Sequence, residues 1–145
     1  MRLHLRNVPA RLATGAYILH AGLEKWNGTP ERATGVHRMA TGAYPVLGRV
    51  PPEKFLRLLA AAEIGTGAAL LLPVVPNRLA GAALTAFAGG LLGLYLRTEA
   101  LHKPGSVWPT QAGVGVSKDV WMLGIGLSLL AEPSGGNGQA PAAAG

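Results

Sequence analysis

The stretch LLAAAEIGTGAALLLPVV, Leu58 to Val75, is eighteen residues of apolar and small side chains broken by a single carboxylate, Glu63. Pro51-Pro52 suits a first helical turn, so the helix is expected from about Pro52 to Val75. Its apolar run extends roughly 27 Å at about 1.5 Å per residue, close to the hydrocarbon thickness of a bilayer, and reads as a membrane span. Glu63 would then lie about 8 Å inside the Leu58 end. An ionised carboxylate within a span costs roughly 2.5–3.5 kcal/mol on insertion scales, so Glu63 is expected to face protein, hydrogen-bonded or paired. Either it holds helices in register or it handles a ligand or a proton. The residue by itself supports both.

Working outward, Leu79 to Leu96 is a charge-free run bounded by Arg78 and Arg97, the cleanest span in the chain. Gly81, Thr85, Gly89 and Gly93 recur through it at four-residue steps, a small-residue stripe expected to receive a neighbouring helix, so that Gly89→Leu should clash. Before the central stretch, Leu12 to Leu23 follows a basic, acid-free start and reads as a first span rather than a cleaved signal. Ala13, Ala16, Tyr17, His20 and Glu24 recur at helical spacing, and this face is expected to look inward. After it, Ser117 to Ala131 makes a short fourth span with Lys118 and Asp119 at its start. Residues 132–145 are mostly Gly, Pro, Ala and Ser with no hydrophobic pattern and read as a disordered tail.

The expectation is therefore an all-α, four-transmembrane-helix bundle over residues 1–131, with both termini on one side of a cell membrane that the chain crosses several times. The two long connections, 27–50 and 97–117, fall on the opposite side, with Glu31–Met39 placed in the first as a short interfacial helix. His20, Glu24, Lys25, Glu63, Lys118 and Asp119 gather toward that side and form the candidate polar pocket. Within it His20 is the first choice of partner for Glu63 and Lys25 the second. Trp26, Tyr95 and Trp121 read as aromatic anchors at the membrane boundary.

Composition bounds the chemistry. Only 14% of residues are charged while 49% are hydrophobic, which points to a membrane and away from a soluble enzyme. The chain has no cysteine, which removes thiol–disulfide exchange, Fe–S clusters and cysteine-bound zinc; no metal site is expected. The net charge of +6 is dispersed between apolar runs, favouring lipid headgroups over nucleic acid as the anionic partner. Four of the thirteen Lys and Arg residues, Arg2, Arg6, Arg11 and Arg78, lie on the side of the termini and the other nine on the long-loop side. A positive-inside count puts the loops in the cytoplasm, whereas the acid-free basic N-terminus argues the reverse.

Gly22-Leu23-Glu24-Lys25-Trp26 after a small-residue first helix, Ala62-Glu63-Ile64-Gly65 to Gly67 in the second, and Lys118-Asp119 opening the fourth together resemble the DoxX-like family. That resemblance covers about residues 11–130 and implies a small integral membrane protein of four helices, associated with quinone-coupled thiosulfate oxidation or with membrane oxidoreductase complexes. Two functions follow as expectations. One is a membrane subunit or scaffold of an oxidoreductase-associated complex, in a homo-oligomer or with other subunits, whose pocket around Glu63 fixes helix register. The other is a quinone-linked oxidoreductase subunit, in which Glu63 or His20 binds the quinone head group or moves protons. Haem between His20 and His102 is a weaker third, and a transporter lacks the inverted repeat it would show.

Overall fold

The computed structural model describes residues 5–132. Six α-helical segments follow in order: α1 Val8–Trp26, α2 Pro30–Ala43, α3 Pro52–Leu71, α4 Asn77–Arg97, α5 Val114–Ser117 and α6 Asp119–Leu130. Short 3-10 turns occupy Leu5–Asn7, Pro45–Arg49 and Glu99–Leu101, and the β pairing among the described residues is one isolated bridge, His102 to Pro109. The fold is all-α.

The central stretch does not form one helix. α3 begins six residues earlier than the apolar run, where Pro52 suits the first turn, and stops at Leu71. Pro73 disfavours helical backbone in the residue before it, and Leu72 is extended at φ −76°, ψ 119°. The orphaned carbonyls of this end are collected by Arg11, which is 3% exposed. Its guanidinium donates from Nε to Leu70 O (2.7 Å), from Nη2 to Ala69 O (2.8 Å) and Leu72 O (2.9 Å), and from Nη1 to Val75 O (3.0 Å) and Asn77 Oδ1 (2.5 Å). One side chain of α1 thus closes α3 and fixes the turn into α4.

Asn77 carries the network on to Glu132, to which its Nδ2 donates, and Arg6 Nη2 lies 3.0 Å from the other oxygen of that carboxylate. Glu132, which the sequence places with the tail, is buried. Residues 133–145 lie outside the described residues.

Helices α1 and α3 pack antiparallel, as do α4 and α6. Glycine sets both separations. A Cβ on Gly67 would stand 2.7 Å from Leu19 N, one on Gly22 2.9 Å from Ile64 N, and one on Gly81 2.8 Å from Gly126 O. These are backbone atoms, which cannot rotate aside. The inward face of α1 is accordingly Arg11, Thr14, Gly15, Ile18 and Gly22, all buried, and not the face of Ala13, Ala16, Tyr17, His20 and Glu24, all exposed. Close approach selects the glycines, and the glycines select the face.

The expected stripe on α4 divides in the same way. Gly81 and Thr85 meet α6, but a side chain on Gly89 would enter open space. Gly89→Leu should therefore leave the unfolding midpoint in detergent nearly unchanged, while Gly67→Ala should lower it by an amount worth about 1–3 kcal/mol. Equal effects would mean that α1 and α3 are not held at this distance.

The connections are more ordered than loops. Thr29 caps α2, its hydroxyl accepting from Arg32 N at 3.3 Å, with Pro30 at the first helical position. Glu31 sits in the first turn, its carboxyl held below the ordinary value by its own backbone N–H and by the Thr29 hydroxyl. The interfacial helix expected at Glu31–Met39 thus runs longer in both directions. Its far end packs Ala40 and Ala43 against Leu94, Tyr95 and Leu101. Tyr95 is not an interfacial anchor. It is 3% exposed, and its hydroxyl donates to Val107 O at 2.8 Å.

By length and composition, α4 is the one described helix apolar enough to cross a membrane. The fourfold expectation is not met on that measure, for reasons that differ by helix. α1 contains Arg11, Glu24 and Lys25; α3 contains Glu53, Lys54, Arg57 and Glu63; α6 has only 12 residues, about 18 Å of helix.

Candidate functional site

Two hydrophobic clusters define where the helix pairs touch. Ile18, Leu70, Ala80, Leu84 and Leu129 pack at the Arg11 end, and Ala40, Ala43, Leu94, Tyr95 and Leu101 at the loop end. Between them lies a cavity of about 460 Å³ lined from α1, α2, α3, α4 and α6. That is the size of a small-molecule pocket. Ile18 contributes to its wall from the first cluster, Ala40 and Leu94 from the second.

The wall is mostly apolar, with Phe55 and Leu59 from α3, Phe87 and Leu91 from α4, and Met122 from α6. Tyr44 spans from the end of α2 to α4, its hydroxyl donating to Gly90 O at 2.9 Å, with the Arg97 guanidinium 4.8 Å from its ring centre. Three charged side chains reach the cavity: Lys25, Glu63 and Asp119. Lys25 Nζ stands 3.0 Å from Glu63 Oε2 and 3.5 Å from Ala21 O, and the side chains of the pair are 18% and 7% exposed. Gly22 makes this pairing feasible, because it lets the Glu63 backbone approach α1 closely enough for the lysine one turn on to reach it.

The six residues expected in the pocket thus separate. Lys25, Glu63 and Asp119 line one cavity. His20 and Glu24 pair with each other at 3.7 Å on the exposed face of α1. Lys118 is exposed and does not line the cavity. The partner of Glu63 is Lys25, not His20, since α1 turns its glycine face to α3 and Lys25 continues that face at Arg11, Gly15, Ile18, Gly22 and Lys25. The His20–His102 pairing needed for haem is likewise not assembled: His20 faces outward beside Glu24, and His102 Nε2 lies 3.3 Å from Leu96 O in the loop beyond α4. Among the described residues no group of three or more His, Asp or Glu is placed to hold a metal ion.

Sequence reading passed over Arg11, Tyr44 and Phe55. Helical steps of four and three residues taken outward from the Gly15–Gly22 pair reach Arg11 and Lys25. Nothing local marks Tyr44 or Phe55, which meet the cavity only through the fold of the first connection.

The family model for DoxX matches residues 7–96. The chain belongs to the DoxX family. The match spans α1 to α4 and so takes in Lys25 and Glu63, while Asp119 lies beyond it. No curated protein and no solved structure matches the chain. As a DoxX-type protein it is a membrane protein, in contact with a lipid bilayer.

Proposed function

We propose that this DoxX protein is a multi-pass subunit of an oxidoreductase-associated complex in the cell membrane, and that its cavity holds a lipophilic ligand of the quinone class. The supporting observation is the cavity itself, mostly apolar and lined also by the Lys25–Glu63 pair and Asp119. A scaffold whose polar residues served only helix register would fill this volume with side chains. A quinone suits it chemically: the ring and tail occupy apolar wall, and Lys25 donates a charge-assisted hydrogen bond to a ring carbonyl. Glu63, released from part of its pairing, and Asp119 are then the acids beside the head group.

Membrane crossing by α1, α3 and α6 as well as α4 belongs to this reading. Of the charges that exclude α1 and α3 on composition, Arg11 is matched by backbone carbonyls and Lys25 by Glu63 inside the protein, while Glu24, Glu53, Lys54 and Arg57 lie exposed within two turns of the loop-side helix ends. Charges matched in this way are tolerated within membrane proteins. Leu12, Leu23, Leu58, Val120, Trp121 and Leu127 are exposed on those helices, as lipid-facing side chains would be. Docking to partner subunits or to a second copy falls to the loop end, where the turn closed by Lys103 N to Trp108 O holds Val107 and Trp108 in the open.

The test is titration of detergent-purified protein with a decyl-substituted benzoquinone, read by quenching of tryptophan fluorescence, with decane as the headless control. Saturable binding is expected for the quinone alone. Lys25→Met should weaken it roughly ten- to hundredfold, the worth of one hydrogen bond from a charged group. Glu63→Gln should keep the fold, since the amide oxygen still accepts from Lys25. Absence of saturable binding, together with no quinone in lipid extracted from the purified protein, would leave the scaffold as the surviving function.

A further inference from the structure

A second cavity, of about 340 Å³, adjoins the first at Lys25. Its lining differs in kind. Trp26, Asn27 and Pro30 come from the junction of α1 and α2, Glu53 and Arg57 from the first turns of α3, and all five are exposed or partly exposed on the loop side. Leu56 and Ala33, 3% and 1% exposed, form its inner wall. The first cavity, in contrast, includes Tyr17, Ala86 and Gly90, which are exposed on the flanks of α1 and α4, where a membrane protein meets lipid. Lys25 is the one residue common to both linings.

We propose that the second cavity is a water-filled vestibule serving the polar end of the ligand site, with the Lys25 side chain as the partition between them. The proposal rests on the ligand reading for its purpose, but not for its geometry. An ammonium is strongly hydrated, and one held against Glu63 with an aqueous compartment behind it keeps part of that hydration. Polar lining with room for water is what ordered water requires, and the ionisable rim of Glu53 and Arg57 supplies partners that an apolar void lacks. A lipophilic molecule would enter from the bilayer side while water, and with it protons, would arrive from the loop side. The two routes would meet at Lys25 and Glu63.

The chain contains no cysteine, so single thiols can be read without background. Leu56 and Leu59 lie one turn apart on α3, the first on the vestibule and the second on the ligand cavity, and cysteine is smaller than leucine at both. In lipid vesicles, Leu56→Cys, on the inner wall, should react with a charged, membrane-impermeant thiosulfonate within about a hundredfold of Gly35→Cys, an exposed control on α2. Leu59→Cys should react at least about a hundredfold more slowly still. Removing the partition, as Lys25→Ala in the Leu59→Cys background, should speed that reaction substantially.

Slow labelling of Leu56→Cys in protein that retains its unfolding transition would overturn the vestibule. Equal rates at Leu56→Cys and Leu59→Cys would overturn the partition, and that comparison decides the matter even where Lys25→Ala fails to fold. A flat quinone titration beside an intact thiol contrast would remove the ligand and leave the vestibule standing.

Discussion

Arg11→Ala is expected to be the most damaging single substitution in the chain, lowering stability by about 5 kcal/mol and preventing recovery of folded protein from detergent. Truncation abandons hydrogen bonds to four backbone carbonyls and to Asn77. Each buried acceptor left without a donor costs about 1–3 kcal/mol, and the losses overlap because the carbonyls share one helix end. Arg11→Lys should rescue little, since an ammonium has three donors and no planar fork. Leu12→Ala, one position along but exposed, should be nearly silent. The check is the unfolding midpoint in a dodecyl sulfate titration for all three variants. An Arg11→Ala protein that unfolds with the unaltered chain would mean that α3 ends without help from α1.

The second large effect concerns the buried pair, where two single substitutions and their combination should disagree. Lys25→Met leaves the Glu63 carboxylate without its cation, and Glu63→Leu leaves the ammonium without its anion. Each should cost about 3–5 kcal/mol, the usual penalty for breaking a buried ion pair from one side. The double variant, with both charges removed and similar volumes kept, should return to within about 1 kcal/mol of the unaltered protein. If the pair serves only helix register, the double variant should also retain whatever the cavity binds. Under the function proposed above it should fold and yet lose saturable quinone binding, separating stability from ligand recognition in one molecule. Additive single costs in the double variant would contradict the 3.0 Å contact itself.

Both results bear on one property of this sequence, that its ionisable residues cannot be interpreted singly. Arg11 reads as one of several basic residues before a first span. In the structure it is buried and holds the far end of another helix, because Gly15 and Gly67 bring α1 and α3 close enough for a long side chain to cross. Likewise His20 is the first choice of partner for Glu63 on sequence grounds, yet Lys25 takes that place in the structure. The rotation of α1 about its axis decides which side chains face inward. That rotation is set by where glycine permits contact.

The sequence by itself determined the all-α class, the cleanest span, the start of α3 at Pro52, the family, and the requirement that Glu63 face protein. Each follows from local or compositional physics: run length, proline geometry, short motifs, and the cost of a carboxylate in hydrocarbon. Only the tertiary structure decided that Lys25 is the partner, that Asp119 joins them while His20, Glu24 and Lys118 do not, and that Gly89 faces open space. It alone decided that α3 stops at Leu71 with Arg11 as its cap, and that a cavity separates the helix pairs. Such features depend on the rotation and spacing of whole helices against one another. Backbone contacts tens of residues apart fix these, and no window of neighbouring residues records them.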